Sequence, residues 1–135
     1  MWGFVLVSLI LLSFAVSSHA AAQNAGGSTK AALSDFKRLE GKWQRPDGGY
    51  VLELKEIGKD GAVKAAYFNP RPINVARAEL KRRDGMLTVF VELRDINYPG
   101  SKYNLQYDPR LDRLIGTYFQ AVEKQTYDIE FVRVK

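Results

Sequence analysis

The chain has 135 residues, with 20 Lys and Arg against 15 Asp and Glu, a net charge of +5, a single His and no Cys. Without cysteine there is no disulfide framework and no thiol nucleophile. The one histidine, His19, falls in a segment read as a targeting signal, so the rest of the chain lacks the usual zinc and copper ligands and the base of a Ser–His or Cys–His pair.

Residues 1–20 carry no Lys, Arg, Asp or Glu, are predominantly apolar from Val5 to Val16, and end in Ser18-His19-Ala20-Ala21. Small residues at −3 and −1 of a cut after Ala20 mark a secretory signal peptide. The missing basic residue in the n-region is a departure, and an uncleaved anchor is the alternative. Cleavage leaves no membrane-inserted segment, and the expected location is secreted or periplasmic. Residues 21–32 open with AAQNAGGST, the composition of a flexible linker. The remaining span, 33–135, is long enough for one β-barrel domain with one modest core.

Leu33 to Leu39 place apolar residues at helical spacing, with Ser34 as the N-cap, predicting one or two helical turns. The period then changes to two. A short strand runs through Gly41-Lys42-Trp43 to Arg45, followed by the turn Pro46-Asp47-Gly48-Gly49. Tyr50, Leu52 and Leu54 alternate with Val51, Glu53 and Lys55, and Gly58-Lys59-Asp60-Gly61 is a tight hairpin signal. Val63, Ala65 and Tyr67 follow, up to Asn69-Pro70-Arg71-Pro72, where two prolines stop the ladder. Asn74, Ala76, Ala78 and Leu80 form the next inward set, then Arg83-Asp84-Gly85 turns the chain into Leu87, Val89, Val91 and Leu93. A longer polar loop is expected from Asp95 to Gly100. Tyr103, Leu105 and Tyr107 alternate before the turn Asp108 to Asp112. Arg113 to Ala121 is a strand whose two faces do not separate by pattern. Thr126 to Val134 places Tyr127, Ile129, Phe131 and Arg133 on one face.

These runs predict an all-β protein: a small eight-stranded antiparallel up-and-down β-barrel with a short N-terminal helical turn. A two-sheet sandwich is the alternative. In a barrel the connections alternate between two ends. The tight turns collect at the end plugged by the helical turn, and the proline-bearing polar loops collect at the other, which is the layout of a ligand-taking mouth. Following the inward faces to that mouth gives the candidate ligand-binding residues Arg45, Tyr67, Asn69, Asn74, Asp95, Tyr103 and Tyr127, with Arg71, Asn97 and Tyr98 on the rim. Asn74 and Asp95 interrupt otherwise apolar faces. A buried polar group without a partner costs about 1–3 kcal/mol, so a pocket, or an Asn–Asp hydrogen bond closing the barrel top, is expected there.

Leu39-Glu40-Gly41-Lys42-Trp43, the Gly48-Gly49 turn, the strand from Gly61 to Tyr67 and Phe131-Val132-Arg133 resemble the calycin superfamily of lipocalins, fatty-acid-binding proteins and avidins. The resemblance implies that Trp43 plugs the barrel base and that Arg133 lies across it, both in structural roles. The spacing is closest to the avidin branch. Arg45 stands where avidins place a ligand-contacting Asn, Gly49 where they place a Ser, and Tyr67 where they place a Tyr. Two of the three differ, and no counterpart of the biotin-stacking tryptophans exists, since Trp43 is the only Trp outside the signal. Biotin is therefore disfavoured.

The functional expectation is an exported non-enzymatic barrel that binds a small molecule at a polar, tyrosine-rich open end. The basic balance, with Arg45 and Arg71 near the mouth, favours an anionic ligand. No cofactor and no metal are expected. The alternative is a protein-interaction barrel with a filled lumen, such as an exported inhibitor or envelope assembly factor, using residues 21–30 as an arm. Asp95 and Glu92 carry carboxylates, but neighbouring strand residues point to opposite faces and so do not form an acid–base pair. Lys81-Arg82-Arg83 is a hairpin end in a near-neutral neighbourhood, so nucleic acid is not expected as a partner.

Overall fold

A computed structural model describes residues 30–135. The signal reading of 1–20 and the linker reading of 21–29 lie outside the described residues. Residues 30–37 are helical (α1), so residues 30–32 are helix rather than linker and Ser34 sits inside the helix rather than at its cap. The strands are β1 Gly41–Gln44, β2 Val51–Lys55, β3 Lys64–Phe68, β4 Pro72–Ile73, β5 Val75–Arg83, β6 Met86–Asp95, β7 Tyr98–Asp108, β8 Arg113–Gln120 and β9 Gln125–Arg133. They pair antiparallel in the order β4-β3-β2-β1-β9-β8-β7-β6-β5 and curl into a nearly closed barrel. The fold is all-β, with nine strands where eight are predicted. The additional one, β4, forms where the prolines were expected to stop the ladder: Pro72 pairs with Phe68 and Ile73 with Tyr67. Proline is tolerated at the first position of an edge strand because its missing N–H is not needed there.

The seam between β3 and β5 is held near the closed end. Gly61 accepts a hydrogen bond from the Leu80 N–H at 2.9 Å, and Ala62 bridges to Glu79. Toward the open end the two strands part, leaving a slit of about 450 Å³ lined by Ala65, Tyr67, Ile73, Asn74, Val75 and Asp95.

Two bulges change which side chains face inward. In β5, Val75 pairs with Leu93 and Arg77 with Glu92, so Ala76 is the extra residue. One extra residue flips the alternation. Val75, Ala78 and Leu80 pack inward, and Asn74 is exposed, against the predicted inward placement. In β6 and β7 the register shifts after Leu93, which faces Ser101 while Arg94 faces Pro99. The expected long loop from Asp95 to Gly100 is instead a tight hairpin through Ile96 and Asn97, whose φ of 68° takes the left-handed conformation that Asn tolerates. Tyr98 is thereby a strand residue, packed against the core.

The lumen is filled over most of its length. Trp43, Leu52, Leu54, Tyr67, Val91, Leu93, Tyr103, Leu114 and Phe131 are all buried. Burying a large apolar side chain contributes roughly 1.5–3 kcal/mol, so this column is the main source of stability. At the closed end α1 packs Phe36 and Leu39 beneath Trp43, and the indole N–H donates to the Leu39 carbonyl at 3.0 Å. The Arg133 guanidinium lies 4.1 Å from the Trp43 ring centroid. It donates Nε to Asp112 at 2.7 Å, Nη1 to the Glu40 carbonyl at 2.8 Å and Nη2 to the Arg38 carbonyl at 2.6 Å. First strand, last strand, helix exit and the β7–β8 turn thus meet on one side chain. Asp35 of α1 pairs with Arg82 and ties the helix to the β5–β6 hairpin.

Candidate functional site

The chain leaves β1 at Arg45, where the backbone pairs its N–H with the Tyr50 carbonyl at 3.0 Å and turns through Pro46 to Gly49. Continuing the inward parity of Trp43, the Arg45 side chain enters the barrel and is 7% exposed. An arginine this buried needs each guanidinium nitrogen partnered, and each is. Nε and Nη2 donate to Asp47 at 2.9 and 2.5 Å, a two-point grip on one carboxylate. Nη1 donates to the Tyr103 hydroxyl at 3.0 Å, and that hydroxyl shares a 2.7 Å hydrogen bond with Tyr67. The guanidinium lies 4.4 Å from the Tyr50 ring centroid and 5.5 Å from that of Tyr118. Tyr103 stacks on Tyr118 at 4.5 Å and meets Phe131 edge-on at 5.3 Å, so the polar layer rests directly on the core.

Above this layer is an open cup of about 440 Å³. Its walls are Tyr50 from β2's approach, Tyr98 from β7, Tyr118 and Gln120 from β8 and Tyr127 from β9, with Asn97 and Glu123 at the lip. Tyr127 pairs with Tyr118 across the β8–β9 ladder and is 41% exposed. Its hydroxyl donates to Glu123 at 2.6 Å. The cup is of a size that holds small ligands.

Electrostatics fix the protonation of the floor. Burial works against the Arg45 cation, but the Asp47 carboxylate and the Tyr103 oxygen outweigh it and raise its affinity for the proton. The Arg45 hydrogen bonds hold Asp47 below the ordinary carboxylate value. Burial pushes Tyr103 up to about 12, against the lowering effect of Tyr67 and Arg45. Burial also raises Tyr67, helped by Tyr103, and burial raises Tyr118. At neutral pH the floor is therefore one cation, one carboxylate and neutral phenols.

The predicted site residues divide into groups. Arg45, Asn97, Tyr98 and Tyr127 line the cup. Tyr67 and Tyr103 lie beneath it, fully buried, where they hold Arg45 rather than face solvent. Asn69 stands behind the wall, its amide donating to the Tyr98 hydroxyl at 2.7 Å. Asn74 and Asp95 are apart from the cup, on the slit beside β4. Both are exposed, contrary to the expectation of interior polar groups. The Asn74 N–H donates to Asp95 at 2.7 Å and its side chain to the Arg94 carbonyl at 3.1 Å, so the pair joins the start of β5 to the end of β6. Arg71 is exposed on the β3–β4 connection and does not line the cup.

Asp47, Tyr50, Tyr118, Gln120 and Glu123 complete the cup without having been singled out. Tyr118 was obscured because Gly116, two residues earlier, leaves a gap in the inward pattern of β8. That glycine is required: a Cβ there would lie 2.0 Å from the Asn104 carbonyl oxygen. Among the described residues no group of three His, Cys, Asp or Glu is placed to hold a metal ion, and no helix is long and apolar enough to cross a membrane. Comparison of the chain with protein-family models, with curated proteins and with solved structures finds no match.

Proposed function

We propose that this protein is an exported, non-enzymatic calycin-like barrel that binds a small molecule in the tyrosine-walled cup. The observation that carries the reading is Arg45, nearly inaccessible and held rigid by Asp47, Tyr103 and two ring faces at the floor of an otherwise open cavity. A buried cation with its own carboxylate is weak as a stabilising device, because desolvation offsets much of the attraction. Preorganised polar groups under an aromatic wall are what small-ligand recognition requires. The base formed by Trp43 and Arg133 supports the calycin-like assignment.

Equilibrium dialysis against extracellular or periplasmic extracts, read by native mass spectrometry, tests the reading. A small molecule should be retained by the wild type, lost on Tyr127→Ala with Gln120→Ala, and kept on Asn74→Ala, which lies outside the cup. Capture indifferent to the cup substitutions, or no capture at all, would sink it.

One observation favours a second reading. The lumen beneath Arg45 is filled by its own side chains, as suits a protein-interaction barrel such as an exported inhibitor or envelope assembly factor. In that case the cup would seat a side chain of a protein partner. Removing residues 21–29 separates the two, since capture of a small molecule in the cup should not change.

A further inference from the structure

The charge balance of the cup selects among ligands, and this inference rests on the small-ligand reading. Of the residues lining the cup, three carry charge: Arg45, Asp47 and Glu123. The Arg45 charge is already balanced by Asp47, which accepts from Nε and Nη2, while Tyr103 accepts from Nη1. Glu123 accepts from a phenol, Tyr127, and not from a cation at that bond. One cation against two carboxylates leaves a surplus of one negative charge.

The walls point the same way. Tyr98 and Tyr127 add rings to the wall beside Tyr50 and Tyr118, which already face the Arg45 guanidinium, and the face of an aromatic ring attracts cations. Arg45 shows this at the floor, where its guanidinium already lies over Tyr50. Asp47 and Tyr103 take three of the five guanidinium N–H donors, and a ligand carboxylate on the remaining two would bring a third negative charge to a cup that already holds Asp47 and Glu123. A cation displaces nothing: the Asp47 side chain is 57% exposed and retains lone pairs for a second donor. The net charge of +5 acts over the whole surface, but salt screens it beyond about 8–10 Å, so the lining decides.

We propose that the cup takes a small organic cation, an ammonium or substituted ammonium on a compact apolar or flat body. Asp47 and Glu123 supply the counter-charge and the tyrosine rings supply the wall. This differs from the anionic ligand favoured by overall composition, because the fold uses up the Arg45 charge internally.

Isothermal titration of the exported chain with three matched probes tests it: benzyltrimethylammonium, phenylacetate and benzyl alcohol. The cation should bind at least about tenfold more tightly than either of the others. Glu123→Gln should weaken the cation about fivefold and leave benzyl alcohol unchanged. Asp47→Asn unmasks Arg45 and should reverse the order, with phenylacetate overtaking the cation. Both substituted residues are exposed, and circular dichroism would verify that both variants fold. Phenylacetate binding the wild type as tightly as the cation would overturn the proposal, as would cation affinity indifferent to both substitutions, or no binding of the cation. The small-ligand reading itself stands or falls separately, on capture from extracts.

Discussion

Arg45 donates to the hydroxyl of Tyr103, 58 residues away, at 3.0 Å, and through it to Tyr67 at 2.7 Å. β1, β3 and β7 are not neighbours in the sheet, so this chain of bonds crosses the interior and sets the height of the cup floor. Tyr103 is its central member. Tyr103→Phe strands a buried guanidinium N–H and the Tyr67 hydroxyl together, and should cost about 2–4 kcal/mol. Tyr67→Phe removes one end and should cost less, about 1 kcal/mol. Urea denaturation of the two variants checks the order.

The closed end depends on geometry more than on charge. Arg133 bonds Asp112 through two nitrogens, Nε at 2.7 Å and Nη2 at 3.0 Å, reaches two carbonyls of the helix exit and covers Trp43. Lysine keeps the charge but cannot make this fork. Arg133→Lys is expected to destabilise by about 1–3 kcal/mol, with increased quenching of Trp43 fluorescence by acrylamide as α1 loosens. The cup should be unaffected, since it lies at the opposite end of the barrel.

Stability should fall at both extremes of pH. Hydrogen bonds from Arg45 and Arg133 lower Asp47 and Asp112 below their ordinary value of 3.8 in the folded chain. The unfolded chain therefore takes up protons first, and the stabilisation, complete at neutral pH, is lost as pH drops from about 4 through the folded values. On the alkaline side burial raises Tyr103 from 10.0 to about 12, with Tyr67 also raised. The unfolded chain then loses protons first, so this contribution is full below pH 10 and disappears as pH rises through about 12. Urea midpoints across pH, with ultraviolet absorbance of phenolate, check both limbs. The buried phenols should ionise only as the barrel unfolds.

Gly61 controls the seam. Its φ is +86°, and an added Cβ would lie 2.0 Å from the Leu80 carbonyl oxygen. Gly61→Ala cannot keep both the conformation and the Leu80 N–H bond to Gly61, so the seam should open beside the Ala62–Glu79 bridge, where the approach to β3 meets β5. A loss of about 2–4 kcal/mol is expected. Faster amide hydrogen exchange at Leu80 than at β7 residues is the local signature.

Much of this architecture is already present in the order of residues. Period-two alternation and turn chemistry place the strands, separate a tight end from an open one and put Arg45 at the open mouth, while the pairing of Trp43 with Arg133 at the floor is what the calycin resemblance implies. Alternation works because a strand buried on one face must repeat every second residue. It fails wherever one residue is added or one side chain is missing. The bulge at Ala76 turned Asn74 outward, the short hairpin at Ile96-Asn97 drew Tyr98 into a strand, and Gly116 hid Tyr118. The charge of the cup was illegible for a different reason. Asp47 reads as an ordinary turn residue and Glu123 as an ordinary surface charge. Asp47 grips Arg45 from only two residues away. Whether that pair and Glu123 share one cavity depends on where barrel closure brings the β1–β2 and β8–β9 connections, and a local pattern carries no information about that distance.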